Sequence, residues 1–194
     1  GDRLSASLSP RMLRVGATLL LTSPFTPMLY MGEEWAASTP WQFFTSHPEP
    51  ELAAAVASGR RREFAEHGWG AHDVPDPQDP QTMADSKLNW DELSQAPHRD
   101  VLHAYRELIR LRKTVPDLSD PRLDRVEVWH GDRHVAIRRG GCVIVANLAP
   151  DTQRINLRGL PRRVLYASEP GLALWHDSVD LPGESAAVLA YARR

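Results

Sequence analysis

With 194 residues, 42% of them hydrophobic, the chain can bury one sizeable core or two small ones. A formal net charge of −2 gives no electrostatic reason to expect nucleic acid or an anionic membrane as a partner. The single cysteine, Cys142, excludes an internal disulfide and fits a reducing compartment, so a cytoplasmic setting is the default expectation.

The chain opens on "GDRLSASLSPR", which carries charge and no hydrophobic run, so no signal peptide is expected there. It has no initiator Met and starts inside a polar loop, as though it were part of something larger. Ser9 as N-cap and Pro10 at the first helical position predict a buried helix up to Thr22, closing before Ser23-Pro24. The apolar stretch Met12 to Met31 is interrupted by Arg14, Gly16, Thr18, Ser23, Pro24 and Pro27, which makes it a poor membrane span. "TPMLYMG", stopped by Gly32, is short and flanked by Pro and Gly, and predicts a buried strand. Helix followed by buried strand is the alternation of a parallel α/β sheet.

The Ala-rich segment Pro50 to His67 predicts a helix ending at Gly68, weakened in the middle by Gly59. "GWGAHDVPDPQDP" follows, too rich in Pro and Gly for regular structure, and long ordered loops tend to be functional. From Pro97, the spacing of Val101, Leu102, Tyr105, Leu108, Ile109 and Arg112 predicts an amphipathic helix that stops before Pro116. After Pro121 come short alternating or β-branched runs: "RVEVWHGDRHVAIRR", with Gly131-Asp132 as a hairpin turn, then "GCVIVANLA", "TQRINLRGL", "RRVLYASE" and "AAVLAYARR". They predict a small antiparallel β domain, with the boundary near Val115 to Arg122.

Adjacent Glu33 and Glu34 suggest an acid pair, yet in extended backbone they point to opposite sides. A glycosidase needs two carboxyl groups about 5 to 9.5 Å apart across one cleft, which neighbours in sequence do not provide. Their residue chemistry alone reads more simply as a solvated loop or a helix N-terminus, where acids meet the positive end of the macrodipole. Position argues the other way, because an apolar strand running into a polar, aromatic-rich loop is how a barrel strand meets an active-site face. Trp35, Trp41, Phe43 and Phe44 would offer flat surfaces for sugar rings, with Gln42, Thr45, Ser46 and His47 for hydroxyls; for any one ring, a place in the core is the simpler reading.

The other polar groups carry less. Asp73, Asp76 and Asp79 share one Pro-rich loop that lacks the Gly and the terminal Glu of an EF-hand. His98 and His103 are five apart and do not share a helix face as zinc ligands would, and His130 and His134 flank a hairpin turn, so no metal is expected. Arg60-Arg61-Arg62 lies among Glu63 and Glu66, as on a solvated helix face, and Cys142 reads as a small buried side chain within "CVIVANL".

"SPFTPMLYMGEEW" resembles the segment around the eighth barrel strand of α-amylase-type glycoside hydrolases. "TPWQFFTSH", "GRRREF", "VPDPQDPQTMADSKLNW" and "GDRLS" narrow the resemblance to the malto-oligosyltrehalose trehalohydrolases, closely up to about Val115 and more loosely after it. The resemblance implies the C-terminal part of a (β/α)8 barrel, residues 1–118, followed by an antiparallel β-sandwich, residues 119–194. It implies cleavage of the α-1,4 bond next to the trehalose end of a maltooligosyltrehalose, with no cofactor, in a cytoplasmic enzyme whose partner is that α-glucan, not nucleic acid or a membrane. The nucleophile, the acid/base and the stabilising Asp of such enzymes have no matching positions here, so no catalytic residue is assigned. The missing N-terminal part of the barrel would supply them. Glu33, Glu34, Trp35, Trp41, Gln42, Phe43, Phe44 and His47 are then expected at the substrate-side rim, with Asp76, Gln78 and Lys87 as further candidates. Two other readings stand beside this one: a glycogen branching enzyme or other amylase-type relative, and a non-catalytic carbohydrate-binding module.

Overall fold

The computed structural model describes residues 1–68, 70 and 74–191. In chain order the helices are α1 (Pro10–Thr22), α2 (Pro50–Ala65), α3 (Pro80–Asp85), α4 (His98–Thr114) and α5 (Pro116–Ser119). The strands are β1 (Val126–His130), β2 (His134–Arg139), β3 (Cys142–Asn147), β4 (Gln153–Asn156), β5 (Pro161–Ala167), β6 (Ala173–Leu174), β7 (Ser178–Leu181) and β8 (Ser185–Tyr191). By compactness the chain divides into Gly1–Ser7 with Ala37–Asp91, and Leu8–Ala36 with Glu92–Arg194.

In the second unit, α1 starts as its residues dictate. The Ser9 hydroxyl accepts the Met12 N–H at 3.0 Å, and Pro10 occupies the first turn, where a missing donor costs nothing. Its inward face carries Val15, Ala17, Thr18, Leu21 and Thr22; the two buried hydroxyls donate to the carbonyls of Arg14 and Thr18, so neither is left unsatisfied. Helix α4 buries Val101, Ala104, Tyr105, Leu108 and Leu111, the stripe its periodicity predicts, and packs on α1. Arg112 of α4 donates to the carbonyls of Leu21, Ser23 and Phe25, filling acceptors that the end of α1 leaves open.

The five-stranded sheet runs β1-β2-β3-β8-β5 and the three-stranded sheet β4-β7-β6, with every pairing antiparallel. Ile144 and Val188 join Leu21, Val101, Tyr105 and Leu108 in one apolar cluster. Their neighbours Val143, Val145, Ala187 and Leu189 join Ile155, Val179 and Leu181 of the smaller sheet in another. Both faces of β3 and β8 are therefore covered, which is why "CVIVAN" is apolar without alternation. Arg139 at the end of β2 is 2% exposed and donates to the carbonyls of Thr22, Ser23, Leu118 and Asp120, joining α1, α5 and the sheet. Burial pulls its pKa below the usual guanidinium range.

The first unit is built differently. Helix α2 passes through Gly59, where an added Cβ would meet nothing, and ends before Gly68, which takes φ +82°. Helix α3 is capped by Asp79, whose carboxylate accepts the Gln81 N–H at 2.9 Å. That short helix and the strands β6 and β7 were beyond sequence expectation. Asp73 of the Asp73, Asp76, Asp79 series, like the last three residues of "AAVLAYARR", lies outside the described residues.

One expectation is corrected. Thr26 to Gly32 was expected as a buried strand, but it enters no ladder among the described residues, and Met28 is 87% exposed. A buried strand needs neighbours at both edges and cover on its faces, and no described segment of this chain supplies them.

Candidate functional site

The acid pair sits on a tight turn. Gly32 at φ +85° leads into one 3-10 turn, Glu33–Trp35, and Ala36 at φ +56° leaves it; the first is at ease in left-handed backbone and the second is held there against its preference. The two carboxylates fold back onto the chain. Glu33 accepts the Tyr30 N–H at 2.9 Å on one oxygen and the Tyr105 hydroxyl at 3.0 Å on the other, while Glu34 accepts the Gly32 N–H at 2.9 Å. Burial, and then the negative charge of Glu33, pushes the Tyr105 hydroxyl well above the usual phenol range, so it remains a donor. Trp35, 2% exposed, supports the turn from beneath and offers no open ring face in this unit.

His98 holds the exit of the turn. Its Nδ1 lies 3.0 Å from the Trp35 carbonyl and 3.1 Å from that of Ala36; two acceptors require Nδ1 to carry the proton. The buried Glu92 carboxylate lies 3.9 Å from the same nitrogen. His98 and Tyr105 were absent from the expected site because they are 63 and 72 residues from their partners in sequence. This arrangement fixes a loop and does not set two free carboxyl groups across a bond.

The other eight expected residues lie in the first unit. Trp41 and Phe44 meet edge to face with centroids 5.8 Å apart. Phe43 is 48% exposed, with the Arg60 guanidinium 5.0 Å from its centroid; the same guanidinium lies 4.3 Å from that of Phe64. Gln78 clamps the loop, since its amide oxygen accepts the His47 N–H at 3.1 Å and its amide nitrogen donates to the Thr45 hydroxyl at 2.5 Å. The Thr45 N–H reaches the Pro77 carbonyl at 2.8 Å. Asp76 accepts the Gln78 N–H at 2.9 Å, and its other carboxylate oxygen lies 3.3 Å from Arg61. The Gln42 N–H is taken by the Ser86 hydroxyl at 3.1 Å, and Lys87 is exposed just past α3. Asp76 and Gln78 thus act on the loop itself, and Phe43 is the most open of its rings.

Other chemistry has little footing. Among the described residues no group of three or more His, Cys, Asp or Glu is placed to hold a metal ion. Burial, and then the charge of Asp117, pushes the Cys142 thiol up to about 11, so it carries no thiolate near neutrality. A cavity of about 710 Å³ lies among α1, α4 and the end of β5, lined by Arg14, His103, Glu107, Tyr166, Ser168 and Glu169 with others. It contains none of the expected site residues, and Arg14 is already paired with Glu169 across it. No helix among the described residues is long and apolar enough to cross a membrane.

Comparison with known proteins supplies what the geometry does not. The family described as a domain of unknown function, DUF3459, matches residues 121–188. A malto-oligosyltrehalose trehalohydrolase of Mycobacterium tuberculosis is 46% identical over 194 residues, covering 99% of this chain and 33% of the relative. Its namesake in Rhizobium sp. (strain M-11) is 48% identical over 97% of this chain and 32% of the relative, and that of Arthrobacter ramosus 57% identical over 60% and 20%. Among solved structures, a Salmonella typhimurium protein provisionally assigned as an alpha amylase superimposes with a TM-score of 0.78 at 34% identity, over 97% of this chain and 32% of that one. The isomaltulose synthase of Klebsiella sp. LX3, at 17% identity and a TM-score of 0.61 over 93% of this chain and 38% of that one, shares the fold. The chain spans about a third of the length of the curated relatives it matches. Along nearly its whole length, then, the chain is similar to about a third of the malto-oligosyltrehalose trehalohydrolases, and its fold to part of an α-amylase-type structure.

Proposed function

We propose that this chain is part of a glycoside hydrolase that cleaves the α-1,4-glucosidic bond next to the trehalose end of a maltooligosyltrehalose, releasing trehalose. The observation that carries this reading is the 46% identity with a trehalohydrolase along 194 residues. The hydrogen bonding of Glu33 and Glu34 back to Gly32, Tyr30 and Tyr105 supports placing the nucleophile, the acid/base and the stabilising Asp in the rest of the enzyme. In this reading residues 1–118 are the C-terminal portion of the (β/α)8 barrel and residues 119–194 the β-sandwich. Thr26 to Gly32, which pairs with no strand here, would become the last barrel strand only beside the rest of the barrel, whose strands would cover the exposed Met28 and Met31.

Glu33 and Glu34, held up by Trp35, are assigned to the substrate-side rim of the whole enzyme. The Trp41 to His47 loop is assigned there on its own grounds, the open ring of Phe43 above all, while Asp76 and Gln78 set the shape of that loop and Lys87 borders it. The reaction is a retaining double displacement that needs no cofactor and takes place in the cytoplasm.

The test compares the purified chain with the same chain co-expressed with the remaining two thirds of the M. tuberculosis relative, each given a maltooligosyltrehalose. The chain alone should release no trehalose, because the groups for covalent and proton-transfer steps are elsewhere. The complemented enzyme should release it. Turnover by the chain alone overturns the placement of the acids. Glucan transfer in place of hydrolysis would make the chain part of a branching enzyme, and glucan binding with no bond cleaved would make it a carbohydrate-binding module.

A further inference from the structure

The outer face of the three-stranded sheet carries a group of residues that the proposed function leaves unused. Along β4 and β7, Ile155, Val179 and Leu181 point into the core, so Arg154, Asn156, Ser178 and Asp180 point out. The register places Arg154, Asp180 and Ala173 in one row across β4, β7 and β6. Trp175 follows Ala173 by two positions, so it shares that face, and its N–H bonds the Ser178 carbonyl at 2.9 Å.

Trp175 is 52% exposed, and yet its ring is fixed. The indole Nε1 donates to the Asp180 carboxylate at 2.8 Å, and the Arg154 guanidinium lies 4.8 Å from the ring centroid. Arg154 in turn holds Asp180 by two parallel bonds of 2.6 and 2.7 Å. The guanidinium covers one face of the indole, and half of the residue's surface is still open. Small neighbours, Ala173 and Ser178, leave the ground beside it low. Fixing an exposed indole before anything binds removes the ordering cost of binding. The Asp180 carboxylate, held down at about 2 chiefly by its bond to Arg154, stays an acceptor beside the ring across the physiological range.

An apolar flat face bordered by an ionised carboxylate, a guanidinium and the polar side chains of Ser178 and Asn156 matches a sugar ring, which has an apolar C–H face and a rim of hydroxyls that donate and accept. We propose that this face, centred on Trp175 with Arg154 and Asp180, is an α-glucan-binding surface. The ligand class rests on the proposed function, since that reading makes an α-1,4-glucan the carbohydrate at hand.

The experiment is affinity electrophoresis of the full chain through gels containing soluble starch, with maltoheptaose titration as the solution measurement. The variants are Trp175→Ala and Trp175→Phe; position 175 lies on an open face, so both are expected to fold, which circular dichroism checks. Wild type and Trp175→Phe should be retarded, and Trp175→Ala should bind about tenfold more weakly or worse, the equivalent of one lost aromatic contact. The proposal is overturned if wild type is not retarded, if Trp175→Ala migrates like wild type, or if a β-linked glucan retards all three equally. Trehalose release from a short maltooligosyltrehalose by the complemented enzyme should be the same with and without Trp175. A wild-type chain that is not retarded while the complemented enzyme still releases trehalose therefore sinks this surface alone, and retardation of the wild type without trehalose release sinks the proposed activity alone.

Discussion

The two units of this chain are held together in different ways. In the unit containing the sheets, the six residues of β3 and the first five of β8 are buried, and apolar side chains cover both faces of those strands. In the unit made of Gly1–Ser7 and Ala37–Asp91, the buried side chains among the described residues are small, Ala37, Ala57, Pro77, Thr82 and Ser86, and side chains tie its loops to backbone. Arg3 reaches the Thr39 carbonyl at 2.6 Å, Ser5 that of Ala37 at 3.0 Å, and Gln78 and Ser86 take up N–H groups of the aromatic loop. Apolar burial scales with area and gives a stiff frame, whereas each hydrogen bond nets only about 0.5–1.5 kcal/mol. A polar-tied unit therefore keeps its shape at small cost and opens at small cost, which suits loops that meet a ligand.

The largest effect is expected at Arg139. Four carbonyls lose their donor in Arg139→Ala, so the sheet-containing unit should lose about 3–5 kcal/mol, read as a large fall in the urea midpoint followed by circular dichroism of the β structure. A change below about 1 kcal/mol would mean that water replaces those bonds and that the frame is less dry than its burial indicates.

Gln78→Ala should act at a different scale and place. Losing the clamp on Thr45 and His47 should cost about 1–2 kcal/mol, seen as faster hydrogen exchange in residues 41–47 with the urea midpoint of the sheets unmoved. If the sheets also lose stability, the two units fold as one.

The smallest effect is a pH dependence confined to the sheets. The Cys142 thiol is raised from an ordinary 9.0 to about 11, so below pH 9 it is neutral in both folded and unfolded chain and stability is complete. Between these values the unfolded chain ionises and the folded one does not, so stability should decline as pH rises from 9 to 11. Tyr166, raised to about 12 mainly by burial, extends the decline upward. Urea midpoints measured from pH 8 to about 10.5 should fall less steeply in Cys142→Ala than in wild type, and equal slopes would show that the thiol meets water.

Much of the fold could be read from the residues. Ser9-Pro10, the stripe from Val101 to Leu111 and the turn at Gly131-Asp132 are local signals, and α1, α4 and the β1–β2 hairpin follow them. Where a signal was short or needed a distant partner, reading failed. Strand β6 has two residues and β7 four, too few to show a period. Thr26 to Gly32 has the composition of a buried strand, but composition cannot supply the strands beside it. At the candidate site, the helix-N-terminus reading of Glu33 and Glu34 comes close to the 3-10 turn that they open, while the groups that lock the turn, Tyr105 and His98, gave no sign in sequence.

Residue order alone set the helix starts, the turns, the apolar runs and the family resemblance, because caps, left-handed positions and periodicity act over a few neighbouring residues. Which charges are buried was decided by packing. The second Arg of "IRR" became a cation held by carbonyls from distant segments, Glu33 became an acceptor for Tyr105, and Trp175 became a fixed ring on an open sheet face. Each of these depends on groups brought together from far along the chain, and only a folded chain sets that distance.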